Sequence, residues 1–130
     1  MMTPNLTEDA LKLRTKEFAV RIVRMVDALP DSVSGRVLAR QVMRSGTSVA
    51  ANYRALCRSK SVADFINKTS IVEEEADETS LWLELISETE KLPAIKIAPL
   101  LKGSGELTAI FVASRRTAQR NRKSKIENRK

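Results

Sequence analysis

Arg36, Arg40, Arg44, Arg54 and Arg58 are the residues whose type and spacing most suggest chemistry. At about 100° per residue they fall within roughly one quarter of a helical wheel, almost opposite Val42, Val49 and Tyr53. A stripe of guanidinium groups offers planar, permanently charged forks that match phosphate oxygens. An ordinary solvated face with a few salt bridges would read the same way. No aromatic residue interleaves with the arginines, so base stacking has little support. The Ser45-Gly46 pair lies on the apolar side of the same helix and reads as a packing notch. A phosphate-cradling loop would need a glycine-rich turn followed by Lys and Ser or Thr, which is missing.

A run of carboxylates, Glu73-Glu74-Glu75-Ala76-Asp77-Glu78, is the second candidate. On a helix, Glu73, Asp77, Glu84 and Glu88 share an outward face. Glu75 and Glu78 turn toward the apolar side, near Ile71 and Trp82. A carboxylate placed there needs donors. Asn52 and an arginine are the expected partners, forming a buried polar cluster of Asn52, Glu75 and Glu78. Inward glutamates can hold a di-metal centre in a helical bundle, but that design pairs Glu with His at i+3. The chain has no histidine. Serine and cysteine triads built on histidine are excluded with it, and neither a metal nor another cofactor is expected. The single cysteine, Cys57, cannot form an intrachain disulfide and sits on the apolar side of its helix, where it reads as packing.

These residues need elements to position them, and the apolar spacing supplies four helices. Leu11, Phe18, Ile22, Met25 and Leu29 form the first stripe, which stops at Pro30. The second helix runs from about Ser34 to Arg58 on Leu38, Val42, Val49, Tyr53 and Leu56. Ser61, with Asp64 three residues later, caps the third, which carries Phe65, Val72, Ala76, Leu83 and Ile86 and ends near Leu92-Pro93. Leu100, Leu107, Ile110, Phe111, Ser114 and Ala118 mark the fourth, whose beginning Pro99, Gly103 and Gly105 weaken. Short connections favour antiparallel neighbours. The expected fold is therefore all-α, an antiparallel up-down-up-down four-helix bundle over residues 1–119. A basic, disordered tail follows over 120–130, with Arg120, Arg122, Lys123 and Lys125 as mobile phosphate contacts.

Charge is sorted along the chain. Between Lys12 and Lys60 lie eleven bases and three acids, whereas Asp64 to Glu90 holds nine acids and one base. From Arg115 onward there are eight bases and one acid. With 23 basic against 16 acidic residues, the net charge is +7. Such sorting suits attraction between neighbouring helices, self-assembly, or an anionic partner. The longest apolar run, Ala109–Ala113, is far too short to span a bilayer, and residues 1–13 lack the apolar stretch of a secretory signal. A cytoplasmic protein is expected.

Two stretches carry a resemblance. Leu38-Ala39-Arg40-Gln41, then Arg44-Ser45-Gly46-Thr47-Ser48-Val49-Ala50-Ala51-Asn52-Tyr53-Arg54, resemble the bacterial four-helix-bundle protein family. Its members were first noticed as reading frames inside intervening sequences of large-subunit ribosomal RNA genes. Ser61-Val62-Ala63-Asp64-Phe65-Ile66-Asn67-Lys68, Glu75-Ala76-Asp77-Glu78-Thr79 and Trp82-Leu83-Glu84-Leu85 resemble its second signature. The resemblance spans about Phe18 to Ala118. It implies a bundle assembled as a ring-shaped homopentamer. It also implies kinship with the accessory variability determinant of diversity-generating retroelements, a basic pentamer that works with a reverse transcriptase and nucleic acid.

The expectation is a non-catalytic homo-oligomer whose basic surface engages RNA or DNA, as an accessory to an enzyme such as a reverse transcriptase. The alternative is a structural assembly protein whose charges serve subunit contacts. A carboxylate-metal hydrolase built on Glu75 and Glu78 is the third and weakest reading.

Overall fold

A computed structural model describes residues 6–128. Four helices follow in order: α1 (Glu8–Val26), α2 (Val33–Leu56), α3 (Val62–Glu88) and α4 (Ala94–Asn128). No strand occurs among the described residues. The chain is an all-α four-helix bundle, as its apolar spacing predicts.

Each of the first three helices begins at a side-chain cap. The Thr7, Ser32 and Ser61 hydroxyls accept from the backbone N–H groups of Ala10, Gly35 and Asp64 at 3.1, 3.0 and 3.0 Å. Such caps satisfy donors that the first turn leaves without intrahelical partners. Asp64 closes its cap from the other side, its carboxylate accepting from the Lys60 N–H at 3.0 Å and from the Lys68 ammonium at 2.9 Å. Those donors hold the Asp64 carboxyl below the ordinary carboxylate range, the Lys60 N–H contributing most.

α3 ends at Glu88, before Leu92-Pro93. Glu90 adopts a left-handed conformation, φ 57°. The Glu90 and Lys91 N–H groups then fold back onto the Ser87 and Ile86 carbonyls, each at 3.0 Å. This is a Schellman closure with a glutamate where glycine is usual.

α4 departs most from expectation. Pro99, Gly103 and Gly105 all lie inside one unbroken helix. Interior proline and glycine cost about 3 and about 1 kcal/mol. Against this, Ile97, Leu100, Leu107 and Phe111 are buried to 4% exposure or less. Each such side chain contributes about 1.5–3 kcal/mol. Pro99 is the sixth residue of α4, past the first turn, so the bond to the Ile95 carbonyl is lost and burial has to offset it. Burial prevails over propensity. Residues 120–128, expected to be disordered, continue α4, so the helix crosses the domain boundary expected at 119/120. From Arg115 onward no Gly or Pro interrupts a run rich in Arg and Lys, both good helix formers. Residues 129 and 130 of the expected tail lie outside the described residues.

The core gathers one stripe from each helix, including Ile22, Val42, Val49, Val72, Leu83, Ile86 and Ile97, all without solvent exposure. α3 packs on both α2 and α4, and α1 packs chiefly on α2. Hydroxyl pairs cross the core between helices: Thr79 donates to Ser45 at 2.9 Å, and Ser80 pairs with Ser104 at 2.6 Å. Gly46 sits directly against Ile22, where an added Cβ would lie 2.9 Å from both γ carbons. The Ser45-Gly46 notch is therefore a packing feature.

Candidate nucleic-acid interface

α2 continues through Ser45-Gly46-Thr47, so the register behind the arginine stripe holds. Arg36, Arg40, Arg44 and Arg54 are all exposed on it, and Arg58 is exposed just past the Cys57 cap. Two of the five are engaged by acids. Arg36 donates to Asp31 at 2.7 Å. Arg44 bridges Glu75, at 3.3 Å, and Glu78. Arg40, Arg54 and Arg58 have no ion-pair partner among the described residues.

The polar cluster differs from its expected form. Glu75 and Glu78 do meet an arginine, with side chains 21% and 37% exposed, so they are half-buried. Asn52 does not join them. Its amide donates to the Ser48 carbonyl of its own helix at 2.9 Å. It lies roughly 12 Å along the axis from Arg44, at 1.5 Å per residue, beyond reach of the pair. Among the described residues no three carboxylates or thiols converge as a metal-binding group. Cys57 is half-buried, and burial pushes its thiol up, away from the reactive thiolate. Its neighbour Tyr53 is raised by burial as well, while its ring packs at 5.5 Å from Phe111.

One contact escapes the helical wheel entirely. Arg115 clasps Glu73 with two bonds, at 2.7 and 3.2 Å, and also donates to Gln119 at 3.1 Å. The Glu73 side chain, expected to face outward, is only 20% exposed. α4 covers that edge of α3, and a wheel drawn for one helix cannot register a neighbour. Hydrogen bonding to Glu73 raises the Arg115 pKa. The only available signal was the sign of the charges: an acidic α3 beside a basic α4.

Beyond this clasp α4 stands clear of the other helices, and every residue from 119 to 128 is exposed. Arg120, Arg122, Lys123 and Lys125 all lie in that segment. Neither they nor the exposed Arg116 meet an acid at ion-pair distance among the described residues. Helical spacing divides the five. Arg116, Arg120 and Lys123 fall on the outer face, whereas Arg122 and Lys125 turn back toward the α2–α3 connection and line the hollow there. A fixed helix thus presents closely spaced cations where a loose tail was expected.

Comparison with known proteins bears on the whole bundle. The profile of the 23S rRNA-intervening sequence protein family matches residues 11–113. A solved structure from Bacteroides thetaiotaomicron VPI-5482, described as a protein of unknown function from the S23 ribosomal protein family, is 36% identical. It superposes with a TM-score of 0.77, over 84% of this chain and 97% of that one. No curated protein matches. The matched region contains α2, α3 and both quoted signatures, and it stops before the exposed basic end of α4. By the extent of this match, the chain belongs to the 23S rRNA-intervening sequence protein family.

Proposed function

We propose that the protein is a non-catalytic, self-assembling binder of RNA or DNA that holds phosphates on the outer face of the α4 end. The observation that carries this reading is the set of exposed bases Arg116, Arg120 and Lys123, without acidic partners among the described residues, on a helix that fixes their spacing. Arg40 and Arg54 on α2, with Arg58 just past its cap, form a sparser second set. Cations held in register neutralise phosphates without reading bases, so binding follows counterion release and shows little sequence preference. Such a protein would serve as accessory to an enzyme acting on the same nucleic acid, a reverse transcriptase being the kind the resemblance implies.

Self-assembly is supported by the outward side of α3. Ile71 and Leu81 are 42% and 47% exposed there. The indole N–H of Trp82, next to Leu81 in sequence, is buried with no acceptor among the described residues. A neighbouring subunit would cover Ile71 and Leu81, and five subunits is the number the resemblance implies. Repeating the basic helix around a ring multiplies a weak contact by avidity.

The rival reading, an assembly protein that ignores nucleic acid, is favoured by one observation. Arg36 and Arg44 are already engaged by Asp31, Glu75 and Glu78. Fluorescence anisotropy with labelled single-stranded RNA and duplex DNA separates the two. Arg120→Ala with Lys123→Ala should weaken binding more than Arg40→Ala with Arg54→Ala. No binding even at low salt would leave the assembly reading standing.

A further inference from the structure

Two hollows at the α2–α3 end of the bundle join into one groove. The inner, about 960 Å³, has Tyr53, Leu56, Phe65, Ile110 and Phe111 in its walls. The outer, about 1220 Å³, lies under the free end of α4. They share Ser59, Phe65, Ala118 and Asn121, so Phe65 and Ala118 carry apolar surface from the inner hollow into the more polar outer one. Either alone reaches the upper end of small-molecule pockets, about 1,000 Å³. Together they suit a length of polypeptide. Among the described residues the outer half is lined by Lys60, Arg122 and Lys125 and by no acidic residue.

We propose that this groove docks an acidic amphipathic helix of a partner protein, its apolar side on Phe65, Ala118 and Ile126 and its carboxylates against Lys60, Arg122 and Lys125. Charge selects this occupant. The α4 end of a second copy would set base against base, where like charges oppose docking. Nucleic acid offers the right charge but no apolar stripe for the floor, and the outer face already presents the bases it needs. An acidic amphipathic helix sets its apolar residues at i, i+3, i+4 and i+7 toward the inner walls and keeps its carboxylates to the outer half, away from Glu8 of the inner hollow. α4 forms one wall of that groove. Arg122 and Lys125 point inward, and Arg116, Arg120 and Lys123 point away, so one helix can serve two partners on opposite faces. The inference stands independently of nucleic-acid binding, because it uses the other face.

The probe is a fluorescently labelled helical peptide of about four turns, with leucines at the apolar spacing and glutamates on its flanks. Two control peptides replace glutamate by lysine and leucine by serine. The full-length protein should bind the acidic leucine peptide and neither control. Arg122→Glu with Lys125→Glu should weaken that binding at least about tenfold and admit the lysine peptide. Both positions are exposed, so the fold should survive. Arg120→Glu with Lys123→Glu should leave peptide binding within about twofold while weakening RNA binding. The inference is overturned if the serine peptide binds as well as the leucine peptide, or if outer and inner reversals weaken peptide binding alike. It is also overturned if the inner reversal impairs only RNA binding, or if it dissociates the oligomer in light scattering, which would give the groove to nucleic acid or to a second copy.

Discussion

Alanine substitution at the four glycines tests the packing of the bundle, because each meets a different neighbour. At Gly105 a Cβ would find nothing within 4 Å, on an exposed stretch of α4. Gly105→Ala therefore keeps the full helix-propensity gain of about 1 kcal/mol. At Gly103 the Cβ would rest 3.4 Å from two ring carbons of Phe18, an ordinary contact, so the gain is slightly reduced. At Gly46 it would sit 2.9 Å from both γ carbons of Ile22, a side chain with no exposure and no room to retreat. Overpacking of that kind costs about 1–3 kcal/mol, which the propensity gain only partly offsets. Gly46→Ala should lose up to about 2 kcal/mol. Gly35 is worst placed. Its Cβ would come 2.2 Å from the Pro30 carbonyl and 2.9 Å from the Ser32 hydroxyl that caps α2. The substitution must open that cap, worth about 0.5–2 kcal/mol, as well as move backbone. For a chain of this length 1 kcal/mol shifts Tm by about 4 °C. Thermal unfolding followed by far-UV circular dichroism should rank the variants Gly105, Gly103, wild type, Gly46, Gly35 from most to least stable. A Gly46→Ala protein as stable as Gly105→Ala, or a Gly105→Ala protein that melts early, would refute the reasoning.

Other outcomes follow from single sites. Glu90→Gly should stabilise by about 0.5–1 kcal/mol, since a left-handed non-glycine residue costs about 1–2 kcal/mol and glycine returns part of that as chain entropy; chemical denaturation would show it as a higher midpoint at unchanged slope. The depressed carboxyl of Asp64 adds stability above its ordinary pKa and loses it as pH falls through the folded value. Asp64→Asn should therefore lower Tm at neutral pH, with the gap to wild type closing in acid, and a gap independent of pH would contradict the capping role. Arg44→Ala should cost only about 1 kcal/mol or less, because the Arg44 side chain is 49% exposed and its partners are half-buried. A loss of several kcal/mol in denaturant titration would mean that the ion pair is buried in the assembly. Light scattering should show a stable oligomer, and a 14.5 kDa particle at micromolar concentration would defeat self-assembly.

Periodicity made the helices and most of the core legible in the sequence. Leu38, Val42, Val49, Tyr53 and Leu56 are all buried as their spacing requires. What stayed hidden depends on neighbours that a single wheel does not contain. Glu73 looks outward until α4 is laid beside it, and Arg115 looks like part of a loose tail until Glu73 is found. Asn52 lies on a suitable face but at the wrong height along the helix. Pro99 and the two α4 glycines signal a break that burial against α3 overrides. The basic end of α4 was visible as charge, but its helical order decides which bases face outward and which line the groove. The spacing places the arginine stripe on one side of α2, and only the structure shows that Arg44 spends its guanidinium on Glu75 and Glu78.

The most direct test of the nucleic-acid reading is the salt dependence of affinity for duplex DNA and single-stranded RNA of unrelated sequences. Three outer bases, Arg116, Arg120 and Lys123, imply a slope of log K against log salt near about −3 for each engaged subunit on duplex DNA. Arg120→Ala with Lys123→Ala should flatten it by about 2 for each of those subunits, with helix content and oligomer size unchanged. A protein that binds neither nucleic acid at low salt, or one whose slope is the same with and without Arg120 and Lys123, would contradict the account.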